Sequence, residues 1–580
     1  MNFIGTICRK EWHKLKFLLI GLLLVESVVL IFYGSRVADS FHNIEPESMR
    51  WYQALHLGVP FFAEIAWLPL LIGTTIGFWQ FLGEMRERRF RIALHFPVPH
   101  WRMLKGMLCA GLLLMTPLLT LFLLATYGIL APYYPYEAWI LAMESGLVWV
   151  AGGVAAYVSL AALMLEPYWK RKCLLGVLFA GWVALFFWSH LPGAYREVGG
   201  YLALSLPLVS LLVFASLERF KSGGGNTVSG RFVLGLLTVF IVALYIPLIG
   251  EKTTANERPQ VYLFYSPVSE NFVYQESHGG HNFTYGDSDG VRFDQAEFER
   301  RLPFVYWKNL DIQGKLPLTL GDQVFDRNAL RDARLSLKLS PEDLPENRIE
   351  PGLYPLFNPQ SHIGTIPFPE TMFRINRSGM EFVDGETMQI DIEPSRSFAA
   401  ALAEAGFTFP ADLIAGKTTN LKPFDEGYFV RDASGKFFHL KQMDSQPIIR
   451  RVPTLDFVDT RTIIVSENRK NAFYGLVLSR SGELSLLGTD KYHIIPLPAP
   501  EYNPDTMTVQ LFEDPLGAIV RYHNDQMAYI VRLDKEYRAI AHYSHPLPPQ
   551  KQFTFGLRFS DAGHSPLLRL SWNFGGRTHE

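Results

Sequence analysis

Cysteine is scarce in this sequence and absent from its larger part. The 580 residues include only Cys8, Cys109 and Cys173. Everything after residue 173 therefore cannot be held by disulfide bonds, on whichever side of a membrane it folds, and must be stabilised by its own core. Paired cysteines at zinc-binding spacing are also missing, so we expect no metal centre of that kind.

Nucleotide-binding and metalloprotease motifs are missing as well. The chain has no Gly-x4-Gly-Lys-Ser/Thr phosphate loop and no His-Glu-x-x-His. Segment 223–226 is glycine-rich but lacks the lysine that would reach a phosphate, and we interpret it as a flexible cytoplasmic linker. We expect no catalytic residue, cofactor or enzymatic activity in this chain, so any ATP hydrolysis belongs to a separate subunit.

Neither sign of charge is in excess. Lys and Arg number 54 against 56 Asp and Glu, which gives a net charge of -2. No basic domain stands out, so a nucleic-acid partner is not expected. The composition is 48% hydrophobic and 19% charged, with a mean hydropathy of +0.09. This average lies between those of soluble proteins and membrane bundles, which indicates two unlike parts.

The apolar segments are concentrated in the first 250 residues. About seven of them approach the ~20 residues needed to cross a bilayer. The predicted spans are Phe17–Tyr33, Phe61–Phe81, Met107–Ala131, Trp139–Leu165, Leu174–Trp188, Tyr201–Leu217 and Phe232–Ile249. The sequence therefore predicts an α-helical transmembrane bundle over residues 17–250, preceded by a short amphipathic helix over 1–16 and followed by a mainly-β extracytoplasmic domain over 251–580.

Basic residues cluster in alternate loops between the spans. Such clusters mark the cytoplasmic side of a membrane protein. They are Arg9, Lys10, Lys14 and Lys16; Arg86, Arg88, Arg89, Arg91, Arg102 and Lys105; Lys170, Arg171 and Lys172; and Arg219, Lys221 and Arg231. With seven spans, this pattern predicts a cytoplasmic N-terminus and an extracytoplasmic or periplasmic location for residues 251–580.

Two cytoplasmic segments have recognisable patterns. In residues 1–16, apolar side chains recur at helical spacing opposite a basic face, which predicts an interfacial elbow helix. In the loop after span two, residues 84–91 alternate acidic and basic side chains at helical separations. Pro97 and Pro99 then end that helix, and a new one is predicted to begin at His100.

These segments resemble type-2 ABC transporter permeases. Lys10-Glu11 matches a pair in the family's elbow helix, and Glu84–Arg91, Leu94–Pro99 and Lys105-Gly106 match the segment after its second span. The family's usual Gly-Thr is replaced by Arg89-Phe90. The resemblance implies a coupling helix that binds a separate ABC ATPase subunit. The implied interface comprises Glu84, Arg86, Glu87, Arg88, Arg89, Arg91, His95, Phe96, Pro97, Val98 and Pro99.

The whole chain also resembles a family of bacterial proteins of unknown function, in which a permease-like half precedes a large exported domain. The matching segments are Tyr306–Leu310, Gly406–Ala411 and Asp425–Asp432. We therefore expect a permease subunit in a bacterial cytoplasmic (inner) membrane, in contact with the lipid bilayer and paired with itself or a second permease. The alternative is a membrane-anchored sensor or envelope assembly protein whose exported domain binds a partner.

Three glutamates fall within or near the predicted spans. Glu26 lies in the middle of span one, whereas Glu64 and Glu144 lie towards the outer ends of spans two and four. A carboxylate in a bilayer is costly and commonly faces a cavity, a partner or a transport path. A polar transport site and simple helix–helix or interfacial contacts both stay open. Gly73 and Gly77 also allow close helix approach, either within the chain or at a dimer seam.

After residue 251 the pattern changes to short alternating apolar runs. Turn pairs recur about every 43–50 residues, which indicates four-stranded units of a propeller-like domain or a sandwich. The pairs are Asp384-Gly385, Ser434-Gly435, Ser481-Gly482 and Asn524-Asp525. Helices are predicted at Asp294–Leu310, Asp326–Leu335 and Ser395–Ala405. His278 and His281 surround a glycine pair, which favours a solvated loop over a metal site.

Overall fold

A computed structural model provides the coordinates of the chain. It describes residues 3–86, 89–93, 95, 97–222, 228–254, 260–279, 282–360, 365–524, 526–547, 555–561, 567–574 and 577–579. The chain divides into two compact units. The helical unit comprises residues 1–249 together with 553–580, and the strand unit comprises residues 250–552. This confirms the predicted combination of a helical bundle and a mainly-β domain.

The helical unit is built from α-helices of very different lengths. In the described ranges they are α1 Phe3–His42, α2 Ser48–Leu55, α3 Trp67–Met85, α4 Arg89–Ala93, α5 His100–Leu130, α6 Tyr136–Leu165, α7 Trp169–Leu185, α8 Gly199–Ser222 and α9 Val228–Thr254. The start of α5 at His100 agrees with the prediction, because Pro97 and Pro99 disfavour the helical conformation in the residues that precede them.

Six helices of the described residues are long and apolar enough to cross a membrane. These are Gly5–His42, Ala63–Met85, His100–Leu130, Tyr136–Leu165, Gly199–Ser222 and Val228–Gly250. They correspond to six of the seven predicted spans, to within two residues at the ends of Phe61–Phe81 and Met107–Ala131. The fifth, 174–188, falls on α7, whose 17 residues reach only about 25 Å at ~1.5 Å per residue. The amino-terminal region is therefore of the membrane-embedded type.

The first helix differs from its prediction. Instead of an elbow over 1–16 followed by a separate span, residues 3–42 form one continuous helix. A single buried stripe explains this continuity, since its members recur three, four, seven or eight residues apart along the whole helix. They are Ile7, Leu15, Leu19, Leu22, Leu30, Tyr33, Val37 and Phe41. No proline interrupts the segment.

Ion pairs distinguish the two ends of the helical unit. One end of the helical unit contains Arg219 of α8 and is called the basic end here. There, Arg219 lies 2.7 Å from Glu166, which follows α6. Towards the opposite end, Arg196 lies 3.2 Å from Glu144 of α6. These two points are about 33 Å apart along α6. Together, α7 and the turn 186–198 therefore carry the chain from one end of the unit to the other, although α7 by itself is short.

Helices α3 and α6 pack at glycine contacts. A Cβ atom on Gly73 would lie 1.9 Å from the carbonyl oxygen of Gly153, and one on Gly153 would lie 2.4 Å from the carbonyl oxygen of Pro69. Gly77 similarly faces the backbone of Tyr157. The two glycines considered for a dimer seam thus serve close packing within the chain, because only glycine lets the backbones approach this far.

The strand unit consists of antiparallel strands joined mostly by hairpins. In the described residues, the strands are β1 Gln260–Ser266, β2 Asn271–Ser277, β3 Phe283–Asp287, β4 Arg292–Phe293, β5 Leu318–Leu320, β6 Gln323–Phe325, β7 Leu335–Leu339, β8 Tyr354–Pro355, β9 Thr371–Ile375, β10 Met380–Asp384, β11 Ile390–Asp391, β12 Ala411–Gly416, β13 Tyr428–Asp432, β14 Phe437–Met443, β15 Gln446–Arg451, β16 Thr460–Val465, β17 Phe473–Ser479, β18 Leu484–Gly488, β19 Ile494–Leu497, β20 Thr508–Asp514, β21 Gly517–His523, β22 Met527–Leu533 and β23 Ala539–Pro546.

These strands form a propeller-like series of sheets. Four sheets have four strands each, β1–β4, β8–β11, β12–β15 and β16–β19, and the fifth has the order β23-β22-β21-β20-β7. Successive sheets share apolar cores: Tyr428 and Phe373 join the second and third sheets, and Phe429 and Val477 join the third and fourth. The predicted hairpins at 434–435 and 481–482 are confirmed as the β13–β14 and β17–β18 turns.

Short helices connect the sheets near the predicted positions. They are α10 Gln295–Arg301, α11 Trp307–Ile312, α12 Arg327–Ala333, α13 Ile392–Glu404 and α14 Pro453–Phe457. Asp294 and Asp326 cap α10 and α12, since each side chain accepts a hydrogen bond from a backbone N–H in the first turn. Gly406 follows α13 with φ +82°, a conformation that favours glycine at a helix end.

The carboxyl-terminal segment belongs to the helical unit and not, as predicted, to the β-rich domain. Strands β24 Phe555–Asp561, β25 Leu568–Phe574 and β26 Arg577–His579 form a separate sheet. The N–H of Leu568 donates to the carbonyl oxygen of Ala194 at 2.8 Å, and Arg569 pairs with Glu197 at 3.1 Å. Leu568 is fully buried in the core of the helical unit. These contacts lie hundreds of residues apart in sequence, so local patterning could not indicate them.

Candidate functional site

A cluster of ion pairs joins the start of α1 to the last turn of α3. The Nζ atoms of Lys10 and Lys14 lie 2.7 and 2.9 Å from the same Oε1 atom of Glu84. Lys14 also lies 2.8 Å from Oε2 of Glu11. Glu11 and Glu84 are buried, whereas Lys10 is half-exposed. The structure thus brings the Lys10-Glu11 pair together with the first residue of the predicted coupling segment.

Hydrogen bonds extend this cluster into the helix bundle. Lys14 Nζ donates to the backbone oxygen of Gln80 at 2.9 Å. The Gln80 side chain donates to the carbonyl oxygen of Met107 at 2.9 Å and accepts from the Tyr157 hydroxyl at 2.8 Å. Helices α1, α3, α5 and α6 are therefore tied together at one level. Sequence reasoning missed Gln80 and Tyr157, although a glutamine inside an apolar span was a usable signal.

Two further contacts hold α8 at the basic end. His100, the first residue of α5, lies 2.5 Å from Glu218 through Nε2, and its Nδ1 lies 3.2 Å from Lys221 Nζ. Arg219 Nε donates to Glu166 Oε2 at 2.8 Å, and the Ser216 hydroxyl donates to the same oxygen. Because Arg219 and Glu166 are both buried, loss of either would leave the other charge without its partner.

The predicted coupling segment is tied to α8 by one aromatic side chain. Phe90 of α4 is fully buried, with its ring centre 5.9 Å from that of Phe220. The guanidinium carbon of Arg91 lies 5.8 Å from the Phe220 ring centre. Arg86, Arg91, His95, Pro97 and Pro99 are exposed and Val98 is partly exposed. The segment thus presents basic residues and prolines to its surroundings while Phe90 anchors it.

The predicted coupling residues divide into three groups. The exposed or partly exposed residues just named are the first group, Glu84 is the second, and the residues outside the described ranges are the third. Glu84 differs from its prediction, because it lies in the buried last turn of α3 and not on an exposed helix. Glu87, Arg88 and Phe96 lie outside the described residues, and of Arg89 only the backbone is described. The glycine-rich segment 223–226 and His281 are also outside the described residues.

The three glutamates of the predicted polar site have separate surroundings. Glu26 is fully buried in α1, and neither carboxyl oxygen has a hydrogen-bond partner in the part of the chain that the structure describes. Glu64 pairs with Arg36 at 2.9 Å and is half-exposed. Glu144 pairs with Arg196, as described above. The structure therefore does not gather the three carboxyl groups into one site.

The strand unit contains a buried cluster that sequence reasoning did not single out. Lys422 Nζ lies 2.5 Å from Asp425 and 3.1 Å from Glu467, and all three side chains are essentially inaccessible. Burial raises the pKa of Glu467 to about 7, although Lys422 opposes this effect. Asp425 Oδ2 and Glu467 Oε2 have no hydrogen-bond partner within the described ranges. This cluster links the segment before β13 to the segment after β16.

A neutral histidine lies next to this cluster. His439 Nε2 donates to the carbonyl oxygen of Glu426 at 2.5 Å, and Nδ1 accepts from the Tyr492 hydroxyl at 2.9 Å. Its ring stacks on Phe429 at 4.4 Å. Burial lowers the pKa of His439 to about 4. The imidazole is therefore a packed core residue at neutral pH.

One sequence pattern has the spacing of a hydrolase nucleophile but a different structure. Residues 286–290 read Gly-Asp-Ser-Asp-Gly, which matches Gly-x-Ser-x-Gly. In hydrolases this motif forms a sharp strand-to-helix turn. Here it forms the end of β3 and the turn to β4, and the Ser288 hydroxyl donates to Asn271. The geometry is that of a hairpin, so it does not support a nucleophilic role.

No cluster of three or more metal-ligating side chains is found among the described residues. His278 is described, and its Nε2 contacts the Thr284 hydroxyl. Glu276 Oε2 lies 4.0 Å from the same nitrogen, and His278 and Glu276 belong to no group of three candidate ligands within the described ranges.

Comparison with known proteins identifies one match. Residues 262–533 match the family described as a domain of unknown function (DUF4857). The match lies within the strand unit and begins within β1. No curated protein and no solved structure matches the chain.

Proposed function

We propose that this chain is the permease subunit of a bacterial ABC transporter. The observation that supports this most directly is the ion cluster of Lys10, Lys14 and Glu84, which ties the first helix to α3 just before segment 86–99. In the type-2 permeases that the sequence resembles, the corresponding segment binds the ATPase subunit. The chain itself then performs no covalent chemistry.

The expected mechanism is mechanical. Segment 86–99 connects α3 to α5, and Phe90 holds it on Phe220 of α8. A force on its exposed arginines would therefore act on three helices. Gln80 and Tyr157 would pass the displacement to α5 and α6, because they hydrogen-bond across those helices. ATP binding by a partner would in this way rearrange the bundle around a substrate path.

The sidedness of the chain forms part of the proposal. The basic end carries the residues that the positive-inside rule assigns to the cytoplasm. Starting from that end, α9 runs towards the opposite face, so residues 251–552 would be extracytoplasmic. The contacts of Ala194 and Glu197 with β25 would also lie on that face. The membrane is then the bacterial cytoplasmic membrane, and the complex would contain this chain, a second permease subunit that is either identical or different, and two ATPase subunits.

Copurification tests the proposal. The full chain would be tagged, solubilised in detergent and isolated with its native partners. An ATPase subunit should accompany the wild type, and the Arg86→Glu/Arg91→Glu variant should lose it. Lys170→Glu is the matched control, because Lys170 is exposed at the start of α7 near the same end but lies outside the segment. Recovery of no ATPase with the wild type, or equal recovery with both variants, would contradict the proposal.

A second candidate is a membrane-anchored sensor or assembly protein. It is favoured by the size of the strand unit, whose five larger sheets share internal cores and which contains a cavity beside β1. In this case a partner would bind the strand unit and the helices would anchor or signal. An ABC ATPase gene beside this gene favours transport, whereas a regulator gene favours sensing.

A further inference from the structure

The strand unit contains a cavity of about 350 Å³ beside β1. One side is formed by β1, and the other by the face of the sheet that contains β20, β21 and β22. Polar side chains that line it include Gln260, Thr508, Gln510 and Arg521, and Tyr262 contributes aromatic surface. Its volume lies within the range of small-molecule sites, which begins at about 300 Å³.

Among the described residues, Arg521 is a cation without a counter-ion at this cavity. In the described part of the chain, its guanidinium is within 4.0 Å of no carboxylate, and its one hydrogen bond runs from Nε to Gln510 Oε1 at 2.8 Å. The two terminal nitrogens make no hydrogen bond within the described ranges. By contrast, Arg532 on the adjacent strand β22 has a carboxylate partner, Asp514, at 2.7 Å.

Aromatic rings hold the Arg521 guanidinium in place. Its central carbon lies 4.3 Å from the ring centre of Phe512, 5.5 Å from that of Phe264 and 5.9 Å from that of Tyr262. Burial lowers the pKa of Arg521 to about 10, as expected for a cation removed from water without a compensating carboxylate. The rings orient a planar group whose free N–H donors are suited to bidentate binding of an anion.

The remaining lining is suited to hydroxyl groups. The amides of Gln260 and Gln510 and the Thr508 hydroxyl can each donate and accept hydrogen bonds. The larger part of the lining is apolar, includes Val261, Leu263, Ala528 and Leu547, and is suited to the C–H surface of a ring. A simple inorganic anion would leave most of these polar groups unused, whereas a hydroxylated ring bearing one carboxylate would use both the guanidinium and the surrounding groups.

We propose that this cavity binds a sugar acid, that is, a monosaccharide-sized polyol carrying a carboxylate, with Arg521 binding the carboxylate. The site lies wholly within the strand unit and does not depend on the proposed coupling to an ATPase. Removal of the Arg521 charge should therefore weaken sugar-acid binding and leave ATPase copurification unchanged.

Isothermal titration of the full-length chain in detergent, at low salt, would test this inference. The probes are glucuronate, glucose as the neutral analogue and inorganic phosphate as the simple anion. We expect glucuronate to bind at least tenfold more tightly than either of the others. Equal affinity for glucose, tighter binding of phosphate, or no glucuronate binding at millimolar concentration would overturn the proposal.

Variants then assign the binding to the cavity. Arg521→Gln should lower glucuronate affinity at least tenfold, because it removes the charged bidentate donor. Arg480→Gln is the matched control, since Arg480 is an exposed arginine of the same unit that pairs with Asp459 away from the cavity. Thr508→Val, which preserves shape, should weaken binding severalfold and serves if Arg521→Gln does not fold. Unchanged affinity in a folded Arg521→Gln or Thr508→Val variant would overturn the assignment.

Discussion

Gly73 and Gly153 face each other so closely that a Cβ on Gly73 would lie 1.9 Å from the Gly153 carbonyl oxygen. This is a backbone-to-backbone contact, so no side chain can move aside to relieve it. The α3–α6 contact is therefore a fixed point of the helical unit, around which the neighbouring helices pack.

Gly73→Ala should destabilise the helical unit by about 2 kcal/mol, because overpacking a close contact typically costs 1–3 kcal/mol. Thermal unfolding of the detergent-solubilised chain would measure this. Gly128→Ala is the control: a Cβ there meets no atom within 4 Å, so its unfolding temperature should stay at or slightly above that of the wild type. A wild-type unfolding temperature for Gly73→Ala would show that the helices are further apart than described.

Glu84→Gln should destabilise the chain by about 2 kcal/mol, since it removes the shared carboxylate of Lys10 and Lys14. Glu64→Gln is the matched change at an ion pair that is half-exposed, and it should cost less than about 1 kcal/mol. Thermal unfolding again provides the measurement. If the two variants lose equal stability, the cluster of Lys10, Lys14 and Glu84 contributes no more to stability than a surface ion pair.

Glu26→Leu should raise the unfolding temperature, because it replaces a buried carboxyl group that has no hydrogen-bond partner in the described chain. The expected gain is about 1–3 kcal/mol, typical for relief of an unsatisfied buried polar group. A loss of stability would instead indicate a partner for Glu26 outside the isolated chain. Val25→Leu, at an exposed neighbouring position, should have little effect.

Glu467 should make the strand unit less stable as pH rises. Its pKa is raised above the ordinary 4.5 to about 7, so between these values the folded state holds a proton that the unfolded state has released. The contribution of Glu467 to the free energy of unfolding is fully present below about pH 4.5 and is lost by about pH 7. In denaturant unfolding, the free energy of unfolding of the wild type should therefore fall relative to that of Glu467→Gln as the pH rises through this window. The expected change is roughly 1–3 kcal/mol. A pH-independent difference would contradict the assignment.

His439 should act in the opposite direction. Its pKa is lowered from 6.5 to about 4, so the unfolded state binds the proton first as the pH falls. Its contribution is present above pH 6.5 and is lost between pH 6.5 and 4. His439→Gln should remove this acid destabilisation in the same denaturant experiment. The wild type should lose stability relative to the variant on acidification, and parallel pH profiles would show that the imidazole is not held neutral.

Much of the fold could be predicted from local patterns. Long apolar segments indicated the helices, and Asp294, Asp326 and Gly406 marked helix ends because capping is a local interaction. The hairpins at 434–435 and 481–482 followed from turn chemistry between alternating runs. The predicted division between an elbow helix and span one was wrong, because no residue there forces a break and one buried stripe continues through residues 3–42.

The candidate site was less predictable. Glu84 was recognised, but as part of an exposed helix, since sequence does not reveal that two lysines of α1 lie beside it. Gln80, Tyr157 and the Glu166–Arg219 pair come together only when helices distant in sequence pack. The same applies to Arg521, which has no carboxylate partner in the described part of the chain, a feature visible only once β20, β21 and β1 are assembled.

The sequence by itself determined that the chain has an apolar helical part and a strand-rich part, and where most of their elements begin and end. These features depend on interactions between residues a few positions apart, such as hydrophobic periodicity, capping and turn formation. Only the tertiary structure decided that residues 553–580 return to the helical unit, that Gly73 packs on Gly153, and which charges are paired. Those outcomes depend on contacts between segments tens to hundreds of residues apart, which local patterning does not encode.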